Sequence, residues 1–230
     1  MKPLPILLRC LVWLSLVLCG VTGGAWAQDL TPIARQSLDE LKVRLTEQER
    51  GWLAQRKTLV VGVLHDPLPP LRIFVERQGL EGIMADYLVA LQRELGVPIR
   101  VRPFHSRDAM YDALQAGSID LVSNVTPLMA QHRGLVLTPP YALTELALFA
   151  EGGDLREYST TDGKTRIAVA NDVMLDMYRA AGGRGIIQRY PSALVAMAAV
   201  LTGDADVFLG DTLSTHYLSS QLFSNQLTIN

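Results

Sequence analysis

Residues 59–67 read Leu59-Val60-Val61-Gly62-Val63-Leu64-His65-Asp66-Pro67, six apolar positions with no polar alternation, closed by a turn. A strand that is apolar on both faces has to be covered on both faces, which in a globular chain means a mainly parallel sheet flanked by helices. The flanking sequence supplies those helices. Residues 82–95 carry Ile83, Met84, Tyr87, Leu88, Leu91 and Leu95 at helical spacing, with Gly96 where a helix ends in a left-handed cap. A strand is predicted at Ile99-Arg100-Val101, a helix over 108–116 ended by Gly117, and a third buried strand at Ile119-Asp120-Leu121-Val122. Such alternation implies α/β architecture with right-handed crossovers. After Pro139-Pro140-Tyr141, residues 143–150 read as an extended connector, and the pattern restarts at Arg166-Ile167-Ala168-Val169-Ala170. An apolar helix over 192–201, stopped by Gly203, leads to the strand Ala205-Asp206-Val207-Phe208-Leu209 and a polar turn at Gly210-Asp211. Two α/β lobes are thus expected, 59–147 and 148–230. The second reads as truncated, because Leu227-Thr228-Ile229-Asn230 arrives before any return strand.

Upstream, 28–58 forms a linker and helix. Thr46-Glu47-Gln48-Glu49 is a capping box, so a short helix is expected to begin there with Trp52 and Leu53 docked on the first lobe, while residues 28–45 read equally as a docked or a mobile segment. Residues 1–27 have the form of a secretory signal: Lys2 and Arg9 ahead of an apolar run over 11–21, then Ala25-Trp26-Ala27 before a cut at Gln28. An uncleaved anchor is the alternative. A lipoprotein signal at Cys19 is disfavoured by Leu18, where a small residue is wanted. The expected compartment is the periplasm. Both cysteines, Cys10 and Cys19, fall in this segment, so the exported chain is expected to hold no disulfide. Export also removes Lys2 and Arg9, taking the formal charge from −2 to −4, and no basic patch invites nucleic acid.

Several of these pieces together resemble the periplasmic solute-binding proteins of family 3, which have the type 2 Venus-flytrap fold. They are the opening strand, Pro69-Pro70-Leu71, Gly82-Ile83-Met84-Ala85-Asp86-Tyr87, residues 113–120, Leu137-Thr138-Pro139-Pro140-Tyr141, and Gly203-Asp204-Ala205-Asp206-Val207-Phe208-Leu209-Gly210-Asp211. Their shared order carries the resemblance. Residues 45–54, running directly into the first strand, look like the approach to the flytrap domains of Bvg- and Evg-type hybrid sensor histidine kinases. The resemblance implies a sensing domain with a membrane-anchored kinase portion beyond this chain, and a homodimer. The alternatives are a free transport receptor for an amino acid or small polar solute, and an enzyme on the same fold, a lytic transglycosylase or a dehydratase. Fold sharing alone says little about such chemistry. No paired carboxylates, nucleophile elbow or phosphate loop are present, and no cofactor is expected.

In this family a small polar solute, an amino acid or organic acid, sits between the lobes. The resemblance implies an arginine for its carboxylate, and Arg133 is the only arginine in the segment concerned, one or two residues off the family spacing; a solvated surface arginine is the alternative. Asp211 falls on the position that meets an ammonium group, and Asp211-Thr212 is equally suited to cap the next helix. Asn124, Thr126, Asp66 and Tyr141 complete the expected ligand-binding set, the first three being equally readable as strand-end turn residues. Two departures stand out: Asn171-Asp172-Val173-Met174 replaces the family's Gly-Thr-Thr, and Leu68 and Leu71 replace stacking aromatics. The histidines, His65, His105, His132 and His216, have no metal-ligand spacing, and no metal is expected.

Overall fold

The computed structural model describes residues 28–39, 41–76, 79–152 and 163–228. The proposed signal sequence and its two cysteines lie outside them. The elements run in order β1 (Thr31–Pro32), α1 (Glu47–Arg56), β2 (Leu59–Leu64), β3 (Ile73–Val75), β4 (Gly79–Glu81), α2 (Ile83–Leu95), β5 (Ile99–Phe104), α3 (Arg107–Gln115), β6 (Leu121–Val122) and α4 (Pro127–Arg133). There follow β7 (Leu146–Glu151), β8 (Arg166–Val169), α5 (Asp172–Ala180), β9 (Ile186–Arg189), α6 (Ala193–Leu201), β10 (Val207–Asp211), α7 (Thr212–Leu222) and β11 (Leu227–Thr228).

The opening strand is the centre of a three-stranded sheet in the order β5-β2-β6, parallel throughout. Its side chains alternate between two cores. Leu59, Val61 and Val63 join Leu53, Leu80, Met84, Leu88, Ile99 and Val101 on the α2 side. Val60 faces Met110, Tyr111 and Ile119 on the α3 side. Gly62 also belongs to this second face: a Cβ there would lie 2.6 Å from Ile119 and 3.0 Å from Met110, so the missing side chain is what lets α3 close on the strand. Each fully buried aliphatic chain, such as Val63 at 0% exposure, contributes about 1.5–3 kcal/mol. The predicted third strand is shorter than expected. It pairs only at Leu121 and Val122 on the sheet edge, where Leu121 is exposed; Ile119 is the buried residue of that stretch.

A five-stranded sheet in the order β11-β7-β10-β8-β9 forms the second half. β8 pairs in parallel with β9 and β10, whereas β7 runs antiparallel to both β10 and β11. The stretch read as a connector therefore becomes an integral strand, with Phe149 fully buried. One face packs Ile167, Val169, Val207 and Leu209 against Leu175 and Tyr178 of α5. The other packs Phe149, Ala168 and Phe208 against Ala196, Met197 and Val200 of α6 and Leu218 of α7.

The N-terminal segment is docked. β1 pairs with β4 in a small sheet whose third strand is β3, and Leu30 exchanges backbone hydrogen bonds with Val101 at 2.6 and 3.0 Å. Asp86 on α2 accepts from the backbone N–H groups of Arg35 (2.7 Å) and Gln36 (3.2 Å), and Asp29 binds both Nε and Nη2 of Arg102. The capping box forms as read: Glu49 N donates to Thr46 Oγ1, and Thr46 N donates to Glu49 Oε2 at 2.7 Å. Of the two large apolar residues on α1, only Leu53 docks; Trp52 remains 51% exposed, because adjacent helical positions point about 100° apart.

Each half is closed at its amino edge by an aspartate three residues after a helix-ending glycine. Gly117 and Gly203 are left-handed, with φ of 69° and 75°. Asp120 then donates its N–H to Val60 O at 2.8 Å and accepts from Val60 N (2.8 Å) and Arg56 Nε (2.7 Å). Asp206 likewise donates to Arg166 O at 2.9 Å and accepts from Arg166 N (2.7 Å) and Nε (3.0 Å). The Arg166 hydrogen bonds hold the Asp206 carboxyl below the usual carboxylate range. A depressed folded pKa means that this stabilisation is present above the ordinary carboxylate pKa and lost as pH falls through the folded value. Asp206→Asn is therefore expected to flatten the acid limb of stability against pH, read by urea unfolding between pH 7 and 3. Asp206→Ala, which strips acceptors from Arg166, should cost about 1–3 kcal/mol at pH 7.

Candidate functional site

Ligands of open α/β sheets bind outside the carboxyl ends of the strands, so the loops leaving β2, β5 and β6 define the place to look in the first half. From β2 the chain passes His65 and Asp66 into a closed turn, in which Leu68 and Arg72 exchange backbone hydrogen bonds at 2.9 and 2.8 Å around a cis Pro69–Pro70 peptide. The turn is tied to the start of α2: Ile83 N donates to Pro70 O at 3.0 Å and Met84 N to Leu71 O at 3.1 Å. Gly82, with φ +100°, makes this approach; a Cβ there would lie 2.5 Å from Pro70 O and 2.8 Å from Leu71 O.

The turn delivers Arg72, a residue absent from the expected set. Its side chain is 3% exposed. Nε donates to the Asp66 carbonyl at 2.9 Å and Nη2 to the Asp66 carboxylate, while Nη1 has no hydrogen-bond partner among the described residues. Burial draws the guanidinium below the usual arginine range, and Asp66 and Tyr141 act against that. Tyr141 in turn is raised by burial and lowered by Arg72. Its hydroxyl donates to Asn124 Oδ1 at 3.4 Å, and its ring lies 5.7 Å from that of Tyr87. Asn124, at φ +58°, follows Ser123, whose buried hydroxyl also lacks a partner among the described residues. Asp66 thus binds Arg72, Tyr141 acts on it electrostatically, and Asn124 is tied to Tyr141.

The remaining expected residues are placed elsewhere or otherwise occupied. Thr126 caps α4 by accepting from Met129 N at 3.3 Å. Arg133, at the far end of the same helix, pairs with Asp108 and lies 5.0 Å over the Tyr111 ring. In the second half Asp211 is 6% exposed and caps α7, accepting from Ser214 N at 2.8 Å and from the Thr144 hydroxyl at 3.0 Å. Leu213 N donates back to Thr144 Oγ1 at 3.2 Å, so the segment entering β7 is pinned to the start of α7. At the start of α5, Asn171 Oδ1 accepts from Val173 N and Met174 N, and Asp172 pairs with Arg189. That helix start is filled by its own side chains. Among the described residues no group of three His, Cys, Asp or Glu could hold a metal, although the His65 and His105 rings lie 5.3 Å apart beside Arg72's turn.

Residues 59–190 match the bacterial extracellular solute-binding proteins, family 3, a span that holds the first strand of each half and every residue around Arg72. The chain belongs to this family. Its fold is the type 2 periplasmic-binding, or Venus-flytrap, fold. It is 31% identical over 227 residues to the virulence sensor protein BvgS of Bordetella parapertussis, covering 96% of this chain and 18% of that protein. It is 29% identical over 197 residues to the sensor protein EvgS of Escherichia coli, covering 85% and 16%. The crystal structure of the Bordetella pertussis BvgS periplasmic domain matches with a TM-score of 0.74 at 29% identity, over 88% of this chain and 39% of that one. The chain thus spans less than a fifth of the length of these sensor proteins.

Within a family 3 lobe, the placement of Arg72 depends on Gly82. Gly82→Ala should cost about 1–3 kcal/mol from the backbone alone, together with displacement of the 68–72 turn. Gly96→Ala is the control: it also has positive φ but meets open space, and should cost about 1 kcal/mol. Urea unfolding of the two variants measures the difference.

Proposed function

We propose that this chain is the periplasmic solute-sensing part of a membrane sensor histidine kinase, binding a small polar solute between its lobes. The observation that carries the reading is the reach of the BvgS likeness: 96% of the chain, extending beyond the 59–190 solute-binding core to the N-terminal segment. Here the segment over 29–38 is bonded into the first lobe through Asp86, Arg102 and Val101, which supports a receptor built into a larger assembly. Among the described residues no helix is long and apolar enough to cross a membrane, so in this reading the anchor and the kinase lie outside them, and any pairing of two copies is a property of the whole sensor.

Asp66, Asn124, Thr126 and Tyr141 are proposed to face the solute from the first lobe. Asp211 and Thr144 hold the crossing segment against α7, which suits a hinge in which ligand affinity differs between open and closed arrangements. Arg133 contributes only if its pair with Asp108 opens. An amino-acid and organic-acid screen by thermal unfolding tests the reading. A true solute at a hundredfold excess over its Kd should raise Tm by roughly 5–10 °C. A chain that no solute stabilises would instead be a structural module of its sensor.

A further inference from the structure

We infer that Arg72 anchors a subsite for a small carboxylate that carries no ammonium group. The inference rests on the solute-binding reading above and names the ligand class and the residue that takes it. Three observations lead there.

The first is the guanidinium itself. At 3% exposure of its side chain, Nη1 is a buried cationic donor without an acceptor among the described residues. Leaving such a donor unmet costs more than a neutral amide would, so the position favours an incoming oxygen anion. Nε and Nη2 are already held by Asp66, which fixes the plane of the group and leaves one nitrogen to donate.

The second is local charge. Arg107, the first residue of α3, also acts electrostatically on Arg72, and Asp66 is the one carboxylate that acts on it. The excess is positive. Tyr141 adds a hydroxyl, and Ser123, beside Asn124, has a second buried donor group without a partner. Asp66, Ser123 and Asn124 belong to loops leaving the carboxyl edge of the first sheet.

The third concerns what an amino acid would need besides. An ammonium group requires an acceptor, and the four aspartates at the loops and helix ends described above already have partners. Asp66 is paired with Arg72, Asp108 with Arg133 and Asp172 with Arg189. Asp211 is buried as the cap of α7 and accepts from Thr144 as well. The arrangement therefore suits propionate or succinate better than glycine or glutamate.

The experiment is thermal unfolding and calorimetric titration of the 230-residue chain with propionate, succinate, propionamide, glycine and glutamate. Propionate or succinate should stabilise the wild type, propionamide should not, and Arg72→Gln should weaken carboxylate binding at least tenfold. Because Arg72 is buried, Arg72→Lys is made in parallel: it keeps the charge beside Asp66 but lacks Nη1, and should fold and show the same loss. In the wild type, the Arg72 side-chain ¹⁵N resonances should move on adding succinate, which needs no variant to fold. Carboxylate binding that survives Arg72→Lys, or leaves those resonances unmoved, overturns the assignment of Arg72 while solute binding stands. Stabilisation by glycine or glutamate without propionate or succinate overturns the ligand class and again leaves solute binding standing. Stabilisation of the wild type by none of the five overturns the subsite, and if the broader solute screen is also empty, the sensing reading falls with it.

Discussion

The aspartate clamp at the amino edge of each sheet is the interaction on which the two halves depend. In both, a helix stops at a left-handed glycine, and three residues later an aspartate exchanges backbone hydrogen bonds with the sheet's central strand or its parallel neighbour and holds an arginine. A parallel pair has no hairpin to set its register, so the register has to be set by side chains and by core packing. Asp120 fixes β6 on β2, and Asp206 fixes β10 on β8. With the amino edges tied, the carboxyl edges are free to diverge into loops. The Arg72 turn, the Asn124 bend and the cap at Asp211 all occupy that opposite edge.

Much of this architecture was legible in the chain. The helix over 83–95 and its Gly96 cap, the box at Thr46 and Glu49, and the double-faced strand at 59–64 are local patterns, and local patterns survive folding. What escaped is non-local. Residues 146–151 look like a connector because nothing in the hexamer reveals that β10 and β11 flank it antiparallel. β9, Ile186-Ile187-Gln188-Arg189, is an edge strand with too little apolar alternation to declare itself, and β1, β3 and β4 are two or three residues long.

The site was legible in part for the same reason. Asp66, Asn124 and Tyr141 could be nominated because strand-end loops can be located from strands; in the fold Tyr141 bonds Asn124, and Asp66 and Tyr141 both act on Arg72. Arg72 was missed because an arginine between Leu71 and Ile73 reads as a surface residue; only the closure of 68–72 onto Gly82 buries it. The available signal was the pair Pro69-Pro70 followed twelve residues on by a Gly82 that no helix pattern requires. Attention to Arg133 followed family spacing, and the fold gives that residue a neighbour in Asp108 and an aromatic face in Tyr111.

The docked N-terminal segment has a mechanical consequence. Residues 29–38 are bonded to β5, to β4 and along α2, so pulling on this end of the chain loads the first lobe directly. The second lobe carries no such strap among the described residues and is joined through the segment around Thr144. In the language of machines, under the proposed sensing role the first lobe would be the stator and the second the rotor. Work done by closing on a solute would be delivered at the second lobe's far edge, where β11 lies against β7.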